Sequence, residues 1–163
     1  MILLLRGLMI GLALSLTIAT VQAREPKLDA NVSEEVYATL EYFVTDIYLS
    51  GHIAKKDLYE HYYAPRLKRY WNKRNVSRRE VIADKKRHFK RWPYTSYRLI
   101  AGSMKIFRIV GQRDAYALQF DYNYDAERPG KTTSGRGRTE MLLRIQNGLP
   151  IIYRETGRVL RRR

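Results

Sequence analysis

The chain has 163 residues, no cysteine and a formal net charge of +15 at pH 7. The length indicates one domain, and the lack of cysteine excludes thiol catalysis, disulfides, iron–sulfur clusters held by cysteine and cysteine–zinc sites. Such a positive chain favours anionic partners, although the same charge can simply keep a small protein soluble.

Residues 1–23 have the organisation of an export signal. One charged residue, Arg6, precedes an apolar run over residues 7–19, and Val21 and Ala23 then occupy the −3 and −1 positions of a signal-peptidase site. This order predicts signal-peptidase cleavage before Arg24 and a periplasmic or secreted mature protein. The alternative is an uncleaved inner-membrane anchor with a periplasmic domain, because the apolar segment reaches the lower limit for spanning a bilayer.

The mature chain is predicted to begin with two helices. A polar lead-in over residues 24–32 ends at Ser33, which suits the N-cap of a helix that reaches Gly51. A shorter helix is predicted over residues 54–63, and Pro65 ends it. The N-terminal part of the domain is therefore expected to be helical.

The strongest helix signal follows a short strand predicted over residues 66–71 and a basic turn. Ser77 and Glu80 have the spacing of a capping box, and Pro93 disfavours a helical conformation at the residue before it. Residues 66–98 contain 13 basic and 2 acidic residues. Six basic side chains of this helix are predicted to bind an anionic partner: Arg78, Arg79, Lys86, Arg87, Lys90 and Arg91.

Alternating apolar residues after Pro93 predict strands. The parity changes near Gly102, which predicts a bulge or bend in one long strand. Further strands are predicted over residues 116–124, 139–145 and 149–159, with a polar hairpin over 126–136, a two-residue turn at Asn147-Gly148 and a frayed basic tail over 160–163.

Helices followed by a series of antiparallel strands predict an α+β domain over residues 33–159. With a bent long strand, the sheet is expected to curl around the first helix and leave a cone-shaped hollow. The residues predicted to line this hollow are aromatic: Tyr37, Phe43, Tyr48, Trp71, Phe89, Trp92, Phe120 and Tyr122.

The order of elements resembles the nuclear transport factor two-like (SnoaL-like, cystatin-related) superfamily. A local pattern is similar to an exported bacterial subgroup of it: Tyr70-Trp71, Val76-Ser77-Arg78, Ala83-Asp84-Lys85, Phe89, Arg91-Trp92-Pro93 and Tyr97. The resemblance implies a fold shared by isomerases, dehydratases, polyketide cyclases and non-catalytic binding domains, so the fold does not decide the function. It also implies a homodimer formed through the outer face of the sheet.

Catalytic residues have no clear signature in the sequence. An isomerase or dehydratase needs a base in the hollow, for which Asp46 and Asp84 are the candidates, whereas Asp121 is expected to point to solvent because of its strand parity. The three histidines match no local metal-binding spacing. No metal or cofactor is therefore predicted.

These observations predict an exported, non-catalytic binding or assembly domain of the bacterial cell envelope. Its partner would be an anionic protein, lipid or cell-wall surface, with a small apolar ligand in the hollow as a further possibility. The first alternative is a small-molecule enzyme that uses Asp46 or Asp84 as its base. The second is a nucleic-acid binder that stacks bases on its aromatic residues. Two observations argue against it: the export leader, and the need for the tryptophans in the core.

Overall fold

The computed structural model of the protein describes residues 26–50 and 60–162. The predicted leader and most of the second predicted helix lie outside these ranges; of that predicted helix only residues 60–63 are described, and 60–62 are helical. Among the helices within the two ranges, none combines the length and apolar character needed to cross a membrane.

The first helix, α1, spans Glu34–Tyr42 and begins at the predicted N-cap. The Ser33 hydroxyl accepts a hydrogen bond from the Val36 amide nitrogen at 3.4 Å. The chain then continues as a π-helical segment, Phe43–Tyr48. A π turn is wider than an α turn, and this one ends with the Tyr48 ring on the inner side of the sheet.

The second described helix, α2, spans Arg78–Arg91 and confirms the predicted capping box. The Ser77 hydroxyl accepts from the Glu80 amide nitrogen at 3.3 Å, and the Glu80 carboxylate accepts from the Ser77 amide nitrogen at 2.8 Å. The helix ends at Arg91, and its C-cap Trp92 lies directly before Pro93, as the sequence predicts. Val81, Ile82 and Phe89 are buried, so this basic helix also contributes to the core.

Eight strands form one curved, unclosed sheet. They are β1 Leu28–Asp29, β2 Arg66–Tyr70, β3 Lys73–Ser77, β4 Tyr94–Leu99, β5 Lys105–Ile109, β6 Ala115–Arg128, β7 Lys131–Gln146 and β8 Leu149–Arg162. The order across the sheet is β1-β5-β6-β7-β8-β2-β3, and β4 also pairs with β6. All pairings between these strands are antiparallel except that of β2 with β8.

The long strand predicted around Gly102 is two strands that lie end to end along β6. β5 pairs with the first half of β6 and β4 with the second half, and Gly102 lies between them with a φ of 69°. Three other boundaries also differ from prediction. The basic turn after β2 is mostly strand β3, the polar hairpin is reduced to Pro129-Gly130, and β8 continues through the predicted tail to Arg162.

The core lies between α1 and the inner, concave face of the sheet. Its fully buried side chains include Leu40, Leu67, Val81, Leu118, Phe120, Met141, Leu143 and Ile152. The register of β7 against β8 shifts so that Leu142 pairs with Arg154 while Leu143 pairs with Ile152. The structure confirms the predicted α+β cone.

Candidate functional site

A cavity of about 900 Å³ occupies the cone. We call it the cone cavity. Helix α2, the turn between β2 and β3, the end of the π-helical segment and the inner faces of β4, β6, β7 and β8 form its wall. Its aromatic lining residues are Tyr48, Tyr70, Trp71, Phe89, Trp92, Tyr97, Tyr122 and Tyr124.

Glu155 lies at the buried end of the cone cavity and is fully buried. Its Oε1 accepts from the Tyr48 hydroxyl at 2.8 Å and from Lys85 Nζ at 3.2 Å, and its Oε2 accepts from the Tyr63 hydroxyl. Its main-chain oxygen accepts from the Trp71 amide nitrogen at 2.8 Å. We call Glu155, Tyr48, Tyr63 and Lys85 the Glu155 cluster.

The Glu155 cluster holds a fixed charge pair together with two neutral phenols. Burial, followed by the nearby charge of Glu155, raises the pKa values of Tyr48 and Tyr63 well above the usual tyrosine range, so both hydroxyls stay protonated and donate. The Lys85 ammonium lies 4.9 Å from the centroid of the Tyr48 ring, within cation–π distance. A buried carboxylate with three such donors is fully compensated.

A second hydrogen-bonded group is formed by Asp84, the residue directly before Lys85 on α2. The Asp84 carboxylate accepts from the Tyr70 hydroxyl at 3.0 Å and from Arg87 Nη2 at 2.8 Å. Burial raises the pKa of Tyr70, and the charges of Glu155 and Asp84 add to this effect. Asp84 is therefore already engaged by two donors.

His88 faces the cone cavity one turn after Asp84. Its Nε2 lies 3.0 Å from the Tyr97 hydroxyl, and the Tyr97 ring packs edge-to-face against Tyr122 at 5.6 Å between centroids. Surrounding protein that displaces water, followed by the positive charge of Lys85, lowers the pKa of His88. This shift favours the neutral imidazole, which can accept a proton.

Glycines on the inner faces of β7 and β8 make room for the aromatic wall. A Cβ at Gly137 would lie 2.6 Å from the Tyr122 ring, and a Cβ at Gly157 would lie 2.7 Å from the Arg138 carbonyl oxygen and 3.1 Å from the Trp71 ring. A larger residue at Gly137 would displace the Tyr122 ring, and one at Gly157 would clash with the Arg138 carbonyl and crowd Trp71. The two rings therefore lie against the sheet where these glycines have no side chain.

The structure brings only part of the predicted site together. Of the predicted lining residues, five line the cone cavity: Tyr48, Trp71, Phe89, Trp92 and Tyr122. Phe43 and Phe120 are buried in the core instead, and Tyr37 is exposed outside the cavity. Of the six predicted anion-binding residues, Arg91 lines the cavity and the others lie outside it: Arg78, Arg79, Lys86, Arg87 and Lys90.

The three carboxylates weighed in the sequence have different positions. Asp84 lines the cone cavity, as a base in the hollow would. Asp46 is exposed, accepts from the Thr45 hydroxyl and does not line the cavity, because the π-helical segment turns it outward. Asp121 lies on the outer face as its parity predicts, but it is buried under Arg136 and Arg138 rather than exposed to solvent.

Sequence reasoning did not identify Glu155 or His88 as site residues. The register shift in β8 hides Glu155, because Ile152 and Glu155 both point inward although they are three residues apart. His88 had a usable signal. It follows Asp84 by four residues and Lys85 by three, which places all three on one face of a helix.

No protein-family model matches the sequence, and no curated protein is similar to it. Solved structures do match. A protein from Kribbella flavida (Kfla4162) covers 79% of this chain and 93% of its own, with 10% identity and a TM-score of 0.62. A scytalone dehydratase-like protein from Novosphingobium aromaticivorans covers 78% and 86%, with 12% identity and a TM-score of 0.61.

A nuclear transport factor 2-like superfamily protein from Salmonella enterica covers 76% of this chain and 92% of its own, with 16% identity and a TM-score of 0.59. At such identities the likeness concerns the fold. The matches extend over 86% to 93% of the length of these proteins. The chain therefore has the nuclear transport factor two-like fold.

Proposed function

We propose that the chain is an enzyme that binds a small molecule in the cone cavity and transfers a proton on it, as isomerases and dehydratases do. The observation that carries this proposal is the pairing of two groups on one wall. His88 and Lys85 are three residues apart on α2 and both line the cavity; the lowered pKa of His88 favours the neutral imidazole, and Glu155 holds the Lys85 ammonium at 3.2 Å. The general base and the cation that would stabilise the developing negative charge therefore line the same cavity.

The proposed chemistry begins when His88 removes a proton from a carbon next to a carbonyl group of the substrate. Nε2 takes the proton directly or through the Tyr97 hydroxyl, 3.0 Å away. The electron pair moves onto the carbonyl oxygen, where the Lys85 ammonium stabilises the negative charge. The protonated imidazole then gives its proton to a leaving hydroxyl, which releases water, or to another carbon, which shifts the double bond.

The similar structures support an enzyme more than a non-catalytic domain. One of them is a scytalone dehydratase-like protein, and it shares the fold that forms the cavity. In the present chain the base would be His88, whereas the sequence suggests Asp46 or Asp84. Asp46 lies outside the cavity, and Asp84 is engaged by Tyr70 and Arg87.

The test is turnover of a panel of cyclic β-hydroxyketones and β,γ-unsaturated ketones, followed by the absorbance of the conjugated enone that both reactions form. We expect His88→Gln to lower kcat by about 100-fold or more, as expected for loss of a general base. His61→Gln is the matched control, since His61 is exposed and outside the cavity. A wild-type chain inert on the whole panel, or an unchanged kcat in H88Q, would contradict the proposal.

A second candidate is the non-catalytic, exported domain that binds an anionic surface of the cell envelope. Arg79, Lys86 and Lys90 favour it, because they are exposed on α2 and form no ion pair within residues 26–50 and 60–162. Replacing all three by glutamate should abolish cosedimentation with phosphatidylglycerol vesicles. Unchanged cosedimentation would count against this candidate.

A further inference from the structure

The open end of the cone cavity carries four basic residues from four different elements. Lys73 is the first residue of β3, Arg91 the last of α2, Lys131 the first of β7 and Arg162 the last of β8. All four line the cavity and are exposed to solvent. We call these four residues the mouth cations.

The acidic residues of the cavity do not neutralise the mouth cations. Among the lining residues in the described part of the chain, only Asp84 and Glu155 are acidic. Glu155 is paired with Lys85 at 3.2 Å, and Asp84 with Arg87 at 2.8 Å. Within the described part of the chain the mouth cations have no ion pair of their own. The unbalanced charge of the cavity is therefore positive and concentrated at its entrance.

An apolar surface lies beside this charge. Trp71, Trp92, Tyr122 and Tyr124 line the same cavity with their rings, and the glycines beneath Trp71 and Tyr122 keep those rings against the wall. Aromatic faces of this kind bind flat apolar groups. A cleft of one charge with apolar walls also concentrates counter-ions of the opposite sign.

We infer that the substrate of this site is an aromatic or alicyclic anion, whose body lies on the rings and whose carboxylate, sulfonate or phosphate group meets the mouth cations. This inference rests on the proposed function, because it names the class of molecule that enters the same cavity. The reacting carbonyl lies toward His88 and Lys85, and the anionic group lies at the entrance.

The experiment compares two fluorescent probes with nearly the same apolar body. 8-Anilinonaphthalene-1-sulfonate is an anion, and N-phenyl-1-naphthylamine is its neutral counterpart. The two tryptophans of the chain both line the cavity, so energy transfer from them to a probe reports binding near it. The replacement Ala126→Phe puts a large ring at a buried lining position, so it should weaken the binding of both probes.

The decisive variant replaces all four mouth cations by glutamine. We expect its Kd for the sulfonate to rise about tenfold or more, the size expected from loss of a charged hydrogen bond, while its Kd for the neutral probe changes less than about twofold. The matched control replaces Lys27, Lys68, Lys105 and Arg158 by glutamine. These residues are exposed outside the cavity, so the control loses the same charge and should keep both affinities.

The outcomes separate the two proposals. If both quadruple variants lose the same sulfonate affinity, net charge alone explains the effect and the inference is overturned. The inference is also overturned if neither variant loses sulfonate affinity. If the neutral probe binds in the cavity and the sulfonate binds independently of the mouth cations, the inference fails and the small-molecule site stands. If neither probe binds the wild-type chain, both proposals fail.

Discussion

The curved sheet buries one carboxylate on each of its faces, and the two are compensated in different ways. Asp121 on the outer face binds Arg138 and Arg136, which lie 17 and 15 residues away on the neighbouring strand. Glu155 on the inner face binds Lys85, Tyr63 and Tyr48, which lie 70, 92 and 107 residues away on three other segments. The ion pairs of Asp121 are local and join two neighbouring strands. The contacts of Glu155 join distant parts of the chain and line the cavity.

The partners also differ in their access to water. The side chains of Arg136 and Arg138 are 45% and 27% exposed, whereas that of Lys85 is 15% exposed. An arginine that loses Asp121 can turn toward solvent, but Lys85 without Glu155 keeps its charge in the cavity. The outer pair should therefore tolerate change better than the inner cluster.

The largest effect is expected for Glu155→Gln. It leaves the Lys85 ammonium without its counter-charge, and we expect the free energy of unfolding to fall by about 3 kcal/mol. The measurement is urea denaturation. Adding Lys85→Met should restore part of this loss, because the unpaired charge is then gone. A loss in E155Q no larger than the loss in Asp121→Asn would show that the two carboxylates do not differ in this way.

The next largest effect is a loss of free energy of unfolding at high pH, caused by the two tyrosines of the Glu155 cluster. The raised pKa values of Tyr48 and Tyr63 keep both phenols protonated in the folded state, while unfolded tyrosines ionise above about pH 10. Their contribution is complete below that pH and is lost as the pH rises toward the folded-state values. Between about pH 8 and pH 11 the wild type should lose about 2 kcal/mol more than a Tyr48→Phe, Tyr63→Phe variant.

The control for this comparison is Tyr37→Phe, since Tyr37 is exposed and lies outside the cavity. Its stability should follow that of the wild type over the same range. Parallel profiles for the wild type and the double variant would contradict the role of the two buried phenols.

A smaller effect is expected for Asp121→Asn. Loss of the charge-assisted bonds to Arg138 and Arg136 should cost about 1.5 kcal/mol at pH 7. The hydrogen bonds from Arg138, and then those from Arg136, lower the pKa of Asp121. Its contribution is therefore complete above the unfolded aspartate value near 3.9 and disappears as the pH falls through the lower folded value.

Urea titrations of the wild type and D121N at several acidic pH values measure this difference. The two curves should converge only below about pH 4. Convergence already near neutral pH would show that the carboxylate is not held by the arginines.

The smallest effect is expected for Asp125→Asn on the same outer face of β6. Asp125 and its partner Arg98 form an ion pair at 2.8 Å, but their side chains are 52% and 71% exposed. Such pairs contribute little, and we expect a change below about 0.5 kcal/mol. A loss as large as that of D121N would show that burial is not what distinguishes the two aspartates.

Local chemistry by itself determined most of the helices and strands of this protein. The capping box at Ser77 and Glu80, the stop before Pro93 and the turn at Asn147-Gly148 depend only on neighbours in the chain, so they are visible in the sequence. Alternation likewise predicted the inner residues of β6. The α+β cone followed from the order of these elements.

Only the tertiary structure decided the site. Glu155 faces inward because β8 shifts its register against β7, and its partners come from segments far apart in the chain. The π-helical segment turns Asp46 outward and Tyr48 inward. The mouth cations gather where four separate elements begin or end. Pairings over such separations depend on how the sheet curves around the helices, and no local pattern in the sequence encodes that curvature.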